Sequence, residues 1–506
     1  MTLVRFMVLL LGTLAAGAIV ALAWKEGFDP EDRQRSVLTT LATATGWSAF
    51  SLLWWTFVSG MSWKTRLRGL TVVFLLIASL AFFYEYDGLD GDFVPRIRLR
   101  FATVDVVRPE RELVSTTAAW PGFQGPHRDA TVSDVVLATD WQDRPPQLCW
   151  RIEVGRGWSS FAIAQGRAIT QEQHGDEEQV VCYDLMTSEV LWKVRDETGY
   201  RSGVAGDGPR ATPTIEDGLV FTLGATGVLR ATELQQGTEV WRRDLHEEGA
   251  AIPKWGFSAS PLWHDGQILI PVGGAGKMVA AFDARSGEML WAHGDDLVAY
   301  ASCAIHRFHG VDQIVLFHHS AVSGHDLQTG QQLWSEDWSL LQPNVAQPLD
   351  LGGNRLLVSS GYGSGSVALE VQPAGEGWQT EVIWRSRRLK SKFSNMLLHE
   401  GSVYGLDDGI MTCVDPGDGS RRWKDGRDGH GQLLRAGEHI LVLTEYGEVV
   451  LIDPDPAERR VLGSFQALSD ETWNPPSLAA PYLLVRNGRE AAAWELPLAG
   501  VPRKSE

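Results

Sequence analysis

Residues 283–291 read Asp283-Ala-Arg-Ser-Gly-Glu-Met-Leu-Trp291, and the pattern returns repeatedly along the chain. An acidic residue opens it, a small residue or Gly stands four later, and Trp closes it eight after the start. Asp184 and Trp192, Glu233 and Trp241, Asp326 and Trp334, and Asp415 and Trp423 keep that spacing. Asp453 leads to Val461 at the same offset, with the aromatic lost. Six copies in one register make a repeat architecture the first reading, ahead of any local motif.

The tryptophans set the period. Trp150, Trp192, Trp241, Trp291, Trp334, Trp384 and Trp423 stand 42, 49, 50, 43, 50 and 39 residues apart, and Val461 follows 38 later. Each interval holds four strand-like runs separated by Gly or Asp-Gly turns. In the third they are predicted at 257–263, 267–272, 278–283 and 288–293. Four strands per 40–50 residues is the blade of a β-propeller. One blade cannot bury both its faces, whereas a closed ring buries them and shields the edges. Asp and Gly are expected to turn the chain between third and fourth strands. Each Trp is expected to dock on the neighbouring blade.

The two ends set the blade count. Three strands fit after Val461, in 473–497, with no fourth. The run 148–154 is a fourth strand with no blade before it. Joined, they close an eighth blade, so the predicted fold is an all-β, eight-bladed propeller over 119–500, with a short tail at 501–506.

Ahead of it, 1–86 reads as a membrane anchor with apolar runs at 3–24, 41–61 and 69–84, long enough to span a bilayer as helices. Ala21-Leu22-Ala23 also resembles a signal-peptidase site, leaving the first run as an anchor or a cleaved leader. The segment 62–68 carries Lys64, Arg66 and Arg68 and no acid, which places it in the cytoplasm and everything after about Tyr86 outside. Residues 87–118 read as a juxtamembrane linker. The Gly- and Pro-rich 120–129 reads as a strap leading into the propeller.

The formal charge is −18. Residues 1–86 hold 7 basic and 5 acidic side chains, so the other 420 residues carry −20. So acidic a domain argues against nucleic acid as a partner. The four cysteines, Cys149, Cys182, Cys303 and Cys413, form no Cys-x-x-Cys and read as buried thiols. His306, His309, His318, His319 and His325 crowd into one blade. With a turn at Gly310-Val311, Cys303 would face His318, but two ligands do not make a zinc site. Asp407-Asp408-Gly409 reads as a turn. No Gly-x-Ser-x-Gly elbow, catalytic triad or metal triad is legible.

The candidate site is the ring of loops that lead into the first strand of each blade. It contains Trp158, Arg210, Trp255, Tyr300, Asn344, Lys392, His430, Trp473 and Asn474. Aromatic faces with a few cations suit a planar or anionic ligand or an acidic peptide; the plainer reading is a solvated ring of loops. The basic run Arg385, Arg387, Arg388, Lys390 and Lys392 feeds this ring, either as a solvated loop or as a contact for an anionic partner.

The repeat, as it stands at 283–291 and 326–334, resembles the PQQ-like β-propeller repeat over about residues 120–498. The stretches 120–129, 206–213, 390–415 and 423–432 resemble a bacterial group of membrane-anchored proteins of that kind. The resemblance implies two branches. Quinoprotein dehydrogenases bind pyrroloquinoline quinone (PQQ) and calcium and carry two adjacent cysteines, which this sequence lacks. The BamB-like outer-membrane assembly lipoproteins use eight blades as a non-catalytic scaffold. The reading is therefore a scaffold without cofactor in the bacterial inner membrane. Its propeller is on the periplasmic side, with the bilayer and other envelope proteins as partners. A PQQ dehydrogenase, or a sensor of small ligands or carbohydrates using the funnel, is the alternative.

Overall fold

The computed structural model describes residues 2–25, 30–109, 116–338 and 343–500. The expected tail at 501–506 lies outside the described residues. The chain divides into two compact units, Met1–Thr103 with Gly203–Gly206, and the remainder.

The first unit holds three helices, α1 (Thr2–Lys25), α2 (Pro30–Leu53) and α3 (Trp63–Phe83), with a π-helical turn at Trp54–Val58. Trp24 Nε1 donates to Thr40 Oγ1 (2.9 Å) and Ser36 Oγ to Ala23 O (2.6 Å), which joins α1 to α2. Gly12 lies under the Trp47 ring, where a Cβ would come within 2.2 Å. Met7–Trp24 and Trp63–Phe83 are long and apolar enough to cross a membrane, by length and composition alone. The expected second span differs. Its run, 41–61, is divided between α2 and the π-helical turn, and α2 mixes Ser, Thr and Gly with its apolar residues. The third begins at Trp63 rather than at residue 69, because Ser62 Oγ caps the helix by accepting from Thr65 N (3.3 Å). Part of the expected linker is ordered as a hairpin, Tyr84–Leu89 with Pro95–Leu99, tied by Arg96–Asp87 and Arg98–Glu85 ion pairs.

Among its described residues the second unit contains eight blades of four antiparallel strands, seven of them in sequence order from first strand to fourth, and the sheet of blade 7 gains a fifth, parallel strand, Thr131–Val132. Blade 1 begins at Ala162–Ala164, blade 2 at Thr214–Glu216, blade 3 at Leu262–His264 and blade 4 at Ala304–Phe308. Blades 5 to 8 begin at Leu349–Gly352, Leu397–His399, Gln432–Ala436 and Ser477–Ala479. Blade 8 takes its fourth strand from the other end of the domain: Gln147–Glu153 pairs with Glu490–Glu495, with Trp150 opposite Ala493. The expected closure at eight blades is what the structure shows. Strands match the expected runs closely except the first of blade 3, which begins at Leu262 and leaves 257–261 outside the ladder.

The repeat works as a fastener from blade to blade. Asp283 Oδ1 accepts from Arg285 N (3.0 Å) and from Ser286 N (2.8 Å) and Oγ (2.9 Å), folding the tight turn. Those donors, led by Ser286, hold its carboxyl below the usual carboxylate range. Asp326 is bonded in the same way to Gln328 and Thr329. Gly287 sits at φ +70, and a Cβ there would meet the Trp241 ring of the preceding blade at 2.6 Å. Trp241 Nε1 donates to Ala284 O (3.0 Å) in the same turn. Trp150, Trp192, Trp384 and Trp423 donate likewise to Leu185, Leu234, Pro416 and Asp455 carbonyls of the next blade. Trp334 departs from the rule and donates to Gln313 Oε1 (2.7 Å) within its own blade. Its neighbour, blade 5, replaces the short Asp turn by a ten-residue hairpin pair, Gly365–Ala374 with Gly377–Ser386.

Every blade also carries a bulge at this point, and a small residue faces each Trp across the ladder: Cys182, Ala231, Ala281, Gly324, Ala368, Cys413 and Ala493. In blade 7 the turn after Asp453 is two residues longer. The position in register with the tryptophans is therefore Gly463, opposite Leu451, and not Val461 as expected.

A strap occupies the inside of the ring. Trp120 forms an antiparallel bridge with Ile163, in the first strand of blade 1. Pro121 O accepts from Ile215 N (2.7 Å) in blade 2, and Arg128 donates to Ser260 O and Pro261 O at blade 3. Thr131–Val132 then pairs with the inner edge of the first strand of blade 7. These are edges that no other strand covers, so residues 120–132 cross the space the ring encloses. Hydroxyl side chains belt the inner strands together: Ser160 N donates to Thr212 Oγ1, Thr212 N to Ser260 Oγ, and Ser260 N to Ser302 Oγ. Ser160 and Ser477 hydroxyls (2.9 Å apart) close the belt between blades 1 and 8.

Candidate interaction face

Each lead-in loop joins a fourth strand to the next first strand, and each second strand returns to that same end. Lead-in loops and the hairpins between second and third strands therefore share one face. The Asp-Gly turns and the turns between first and second strands share the other.

On the first face the candidate residues fall into two groups. One is built by blades 5, 6, 7, 8 and 1. Lys392 and His430 are buried, at 3% and 2% exposure, with Nζ 3.3 Å from Nε2. The Lys392 ammonium lies over the Tyr362 ring, 5.1 Å from its centroid. Phe393 packs on Trp473 (4.9 Å between centroids) and on His430 (5.2 Å), and Trp158 packs on Trp473 (4.7 Å). Glu445 organises the group: Oε1 accepts from Trp473 Nε1 (2.8 Å) and Oε2 from His430 N (2.9 Å). Asn474 is fully buried and staples blade 8 to blade 1, Nδ2 donating to Ser159 O (2.7 Å).

The second group comes from blades 1 to 4. Trp255 and Tyr300 stack at 5.2 Å and 27°, with Lys254 Nζ 5.9 Å over the Trp255 ring. The Arg210 guanidinium lies over Tyr200 at 4.9 Å, and Tyr200 OH donates to Lys254 O (2.5 Å). Burial brings Arg210 down to about 10 and pushes Tyr300 up to about 12. Asn344, by contrast, is fully buried and donates to His318 O, bracing the loop to Tyr300, whose N–H donates to Asn344 O.

Part of the charge on this face is paired. The basic run is not one solvated loop. Arg385, Arg387 and Arg388 are exposed, whereas Lys390 and Lys392 are buried. Lys390 Nζ lies 3.0 Å from Asp407 and 3.1 Å from Asp408. Burial works against the Lys390 charge, but the two carboxylates outweigh it and raise its pKa. Burial raises Asp408 despite Lys390 and Lys392. Glu178, at the end of the blade 1 hairpin, accepts from Ala225 N (3.1 Å), and burial pushes its carboxyl up to about 8.

The sequence reading missed Glu178, Tyr200, Tyr362, Asp408 and Glu445. Four of these five lie at the tips of hairpins between second and third strands, where Tyr-Gly and Asp-Gly pairs mark the turn. Asp408-Gly409 turns as expected, with φ +48 and +82. The histidine cluster does not converge. Its hairpin turns at His309-Gly310 and Ala304 pairs with Val315, so Cys303 does not face His318. His318 bonds Asp296, and His325 bonds Ser323 and Gly330 O.

The face offers two cationic, aromatic-walled patches suited to anionic or aromatic groups of a partner. It fits a bound planar quinone poorly. Trp473 is already packed against Trp158 and Phe393, both tilted to it, and the four cysteines are buried in four different blades, so no two are adjacent.

Comparison with known proteins agrees with this architecture. The family described as outer membrane protein assembly factor BamB matches residues 143–293 and 176–425. BamB of Shewanella oneidensis is 22% identical over 353 residues, 65% of this chain and 86% of that one. The crystal structure of BamB from Moraxella catarrhalis superposes with a TM-score of 0.52 at 14% identity, covering 69% of this chain and all of that one. Quinohemoprotein alcohol dehydrogenase from Comamonas testosteroni gives 0.55 at 13% identity, covering 78% and 82%. At such identities the structural likenesses establish the fold alone.

Proposed function

This chain belongs to the outer membrane protein assembly factor BamB family, and on that premise we propose that it is a non-catalytic scaffold of the bacterial envelope. It binds other envelope proteins through the face that carries the lead-in loops. The observation that carries this reading is the strap. With residues 120–132 lying inside the ring, the concave surface left for a partner is the loop face, where Trp255, Tyr300, Arg210 and Lys254 stand part-exposed or exposed. Acidic or aromatic side chains of a partner segment match the cations and rings there.

The first unit anchors the scaffold in the inner membrane. The apolar side chains of α3, Phe74 to Ile77 among them, are exposed within the unit, as a lipid-facing helix requires. Sidedness rests on α3 alone: Lys64, Arg66 and Arg68 at its start hold that end in the cytoplasm, so the propeller follows on the periplasmic side, whatever α2 does.

A photo-crosslinking residue placed at Lys254 or Trp255 in membrane-embedded protein should capture an envelope protein. The same residue at Arg285 or Gln328, on the opposite face, should not. Equal capture from both faces would overturn the assignment of the face. Tight binding of PQQ and Ca²⁺ with alcohol-dependent dye reduction would overturn the scaffold.

A further inference from the structure

On the face away from the lead-in loops, the turn joining the first and second strands of blade 6, Glu400-Gly401, lies beside its counterpart in blade 7, Gly437-Glu438. His399 ends the first strand of blade 6 and is 8% exposed, while both glutamates are exposed. One ligand atom from each of His399, Glu400 and Glu438 lies within 4.8 Å of the other two. His399 Nε2 points at Glu438 Oε2 across 3.9 Å, too far for a hydrogen bond. The imidazole makes no other hydrogen bond among the described residues, so a nine-tenths-buried polar ring aims at this point without a bonded partner. Among the described residues neither glutamate pairs with Lys or Arg. Two carboxylates converge on one imidazole with no protein cation between them.

The geometry points to a divalent cation site of the Zn²⁺ type, held by a nitrogen of His399 and one oxygen each of Glu400 and Glu438, with water as the fourth ligand. Zinc bonds of about 2.0–2.2 Å put ligand atoms roughly 3.5 Å apart. The glutamates need to close by about 1 Å, which exposed side chains on turns can do by rotation. An imidazole among the ligands selects zinc over Ca²⁺ and Mg²⁺, which take oxygen shells. The ion would join blade 6 to blade 7. It would bind the folded ring and not the unfolded chain, and so raise stability by mass action.

The test uses the full chain in detergent, stripped with EDTA and titrated with Zn²⁺ against a chromophoric chelator, with thermal unfolding in parallel. Wild type should take up one equivalent that Glu400→Gln, Glu438→Gln and His399→Ala each weaken at least tenfold, and Zn²⁺ should raise Tm in wild type only. The two Gln variants alter exposed side chains, so their Tm in EDTA should equal that of wild type, which separates lost binding from lost folding. Absence of saturable binding, binding unchanged in both Gln variants, or Ca²⁺ competing at equal concentration would each overturn the assignment.

Discussion

Trp141 lies on Gly463. A Cβ at Gly463 would come within 2.9 Å of Trp141 Cβ and 3.3 Å of its ring. Gly463 is the position in blade 7 that stands in register with the docking tryptophans of the other seven blades. The missing aromatic is thus supplied from the strap side of the chain, where Trp141 is 4% exposed and packs on Phe465 at 5.7 Å. Trp141→Ala should cost about 3–5 kcal/mol, the usual loss for a buried aromatic. Gly463→Ala should cost about 1–3 kcal/mol by overpacking. Their double variant should cost somewhat less than the sum, because the 3.3 Å contacts with the ring disappear while the 2.9 Å contact with the Cβ of residue 141 remains. Urea unfolding of the detergent-solubilised chain, followed by fluorescence, measures all three.

Gly287→Ala should destabilise more than Trp241→Phe. The phenylalanine variant keeps most of the buried area and loses the bond to Ala284 O, about 1–2 kcal/mol. The alanine must adopt φ +70 and also push its methyl into the Trp241 ring, for about 2–4 kcal/mol. Equal midpoints in urea would mean that the turn relaxes away from the ring.

Lys390→Met should cost about 3–5 kcal/mol, since it leaves Asp407 and Asp408, both buried, short of a cation. Asp407 keeps Lys424 (2.6 Å) and Arg421 (3.1 Å), so Asp408 carries most of the loss. Adding Asp408→Asn to Lys390→Met should recover part of the stability. A double variant no better than Lys390→Met would refute this division.

The pH dependence of stability carries a signature of Glu178. Burial raises its folded-state value from 4.5 to about 8. The folded state therefore binds the proton more tightly than the unfolded chain, and stability falls as pH rises from about 4.5 through about 8. Glu178→Gln removes that slope, so the variant should match wild type near pH 4 and exceed it near pH 9, by about 1.4 kcal/mol for each pH unit between the unfolded and folded values. Parallel unfolding curves at both pH values would place the slope on other groups. Asp428, raised by burial to about 6, contributes the same sign over a lower window.

Much of the ring was legible because its cause is periodic. The spacing from Asp283 to Trp291 is set by a two-sided contact: Gly287 must leave room for Trp241, while Trp291 must cover Gly330 of the next blade. The same contact recurs as Gly237 with Trp192 and Gly419 with Trp384, and a contact repeated from blade to blade writes itself into sequence at a fixed interval. Val461 misled for a related reason. A turn longer by two residues moved the register to Gly463, and the substitute, Trp141, lies more than 300 residues away in the chain.

The lead-in loops were legible as positions but not as a surface. Lys390 and Lys392 look like part of an exposed basic run, yet Asp407 and Asp408 from the next hairpin pair with Lys390, and Lys392 is buried against His430 and Tyr362. Glu445 binds both His430 and Trp473, and nothing in its own neighbourhood announces that role.

The sequence by itself determined the blade, the closure of the ring by the run read at 148–154, and the absence of adjacent cysteines, since each depends on spacing along one strand or turn. Only the tertiary structure decided that residues 120–132 lie inside the ring, which aromatics cover one another, and which charges are buried. Those are properties of edges and side chains from different blades. Burial and pairing depend on distance in space, and a periodic sequence does not record which distant residue fills a place its own repeat leaves vacant.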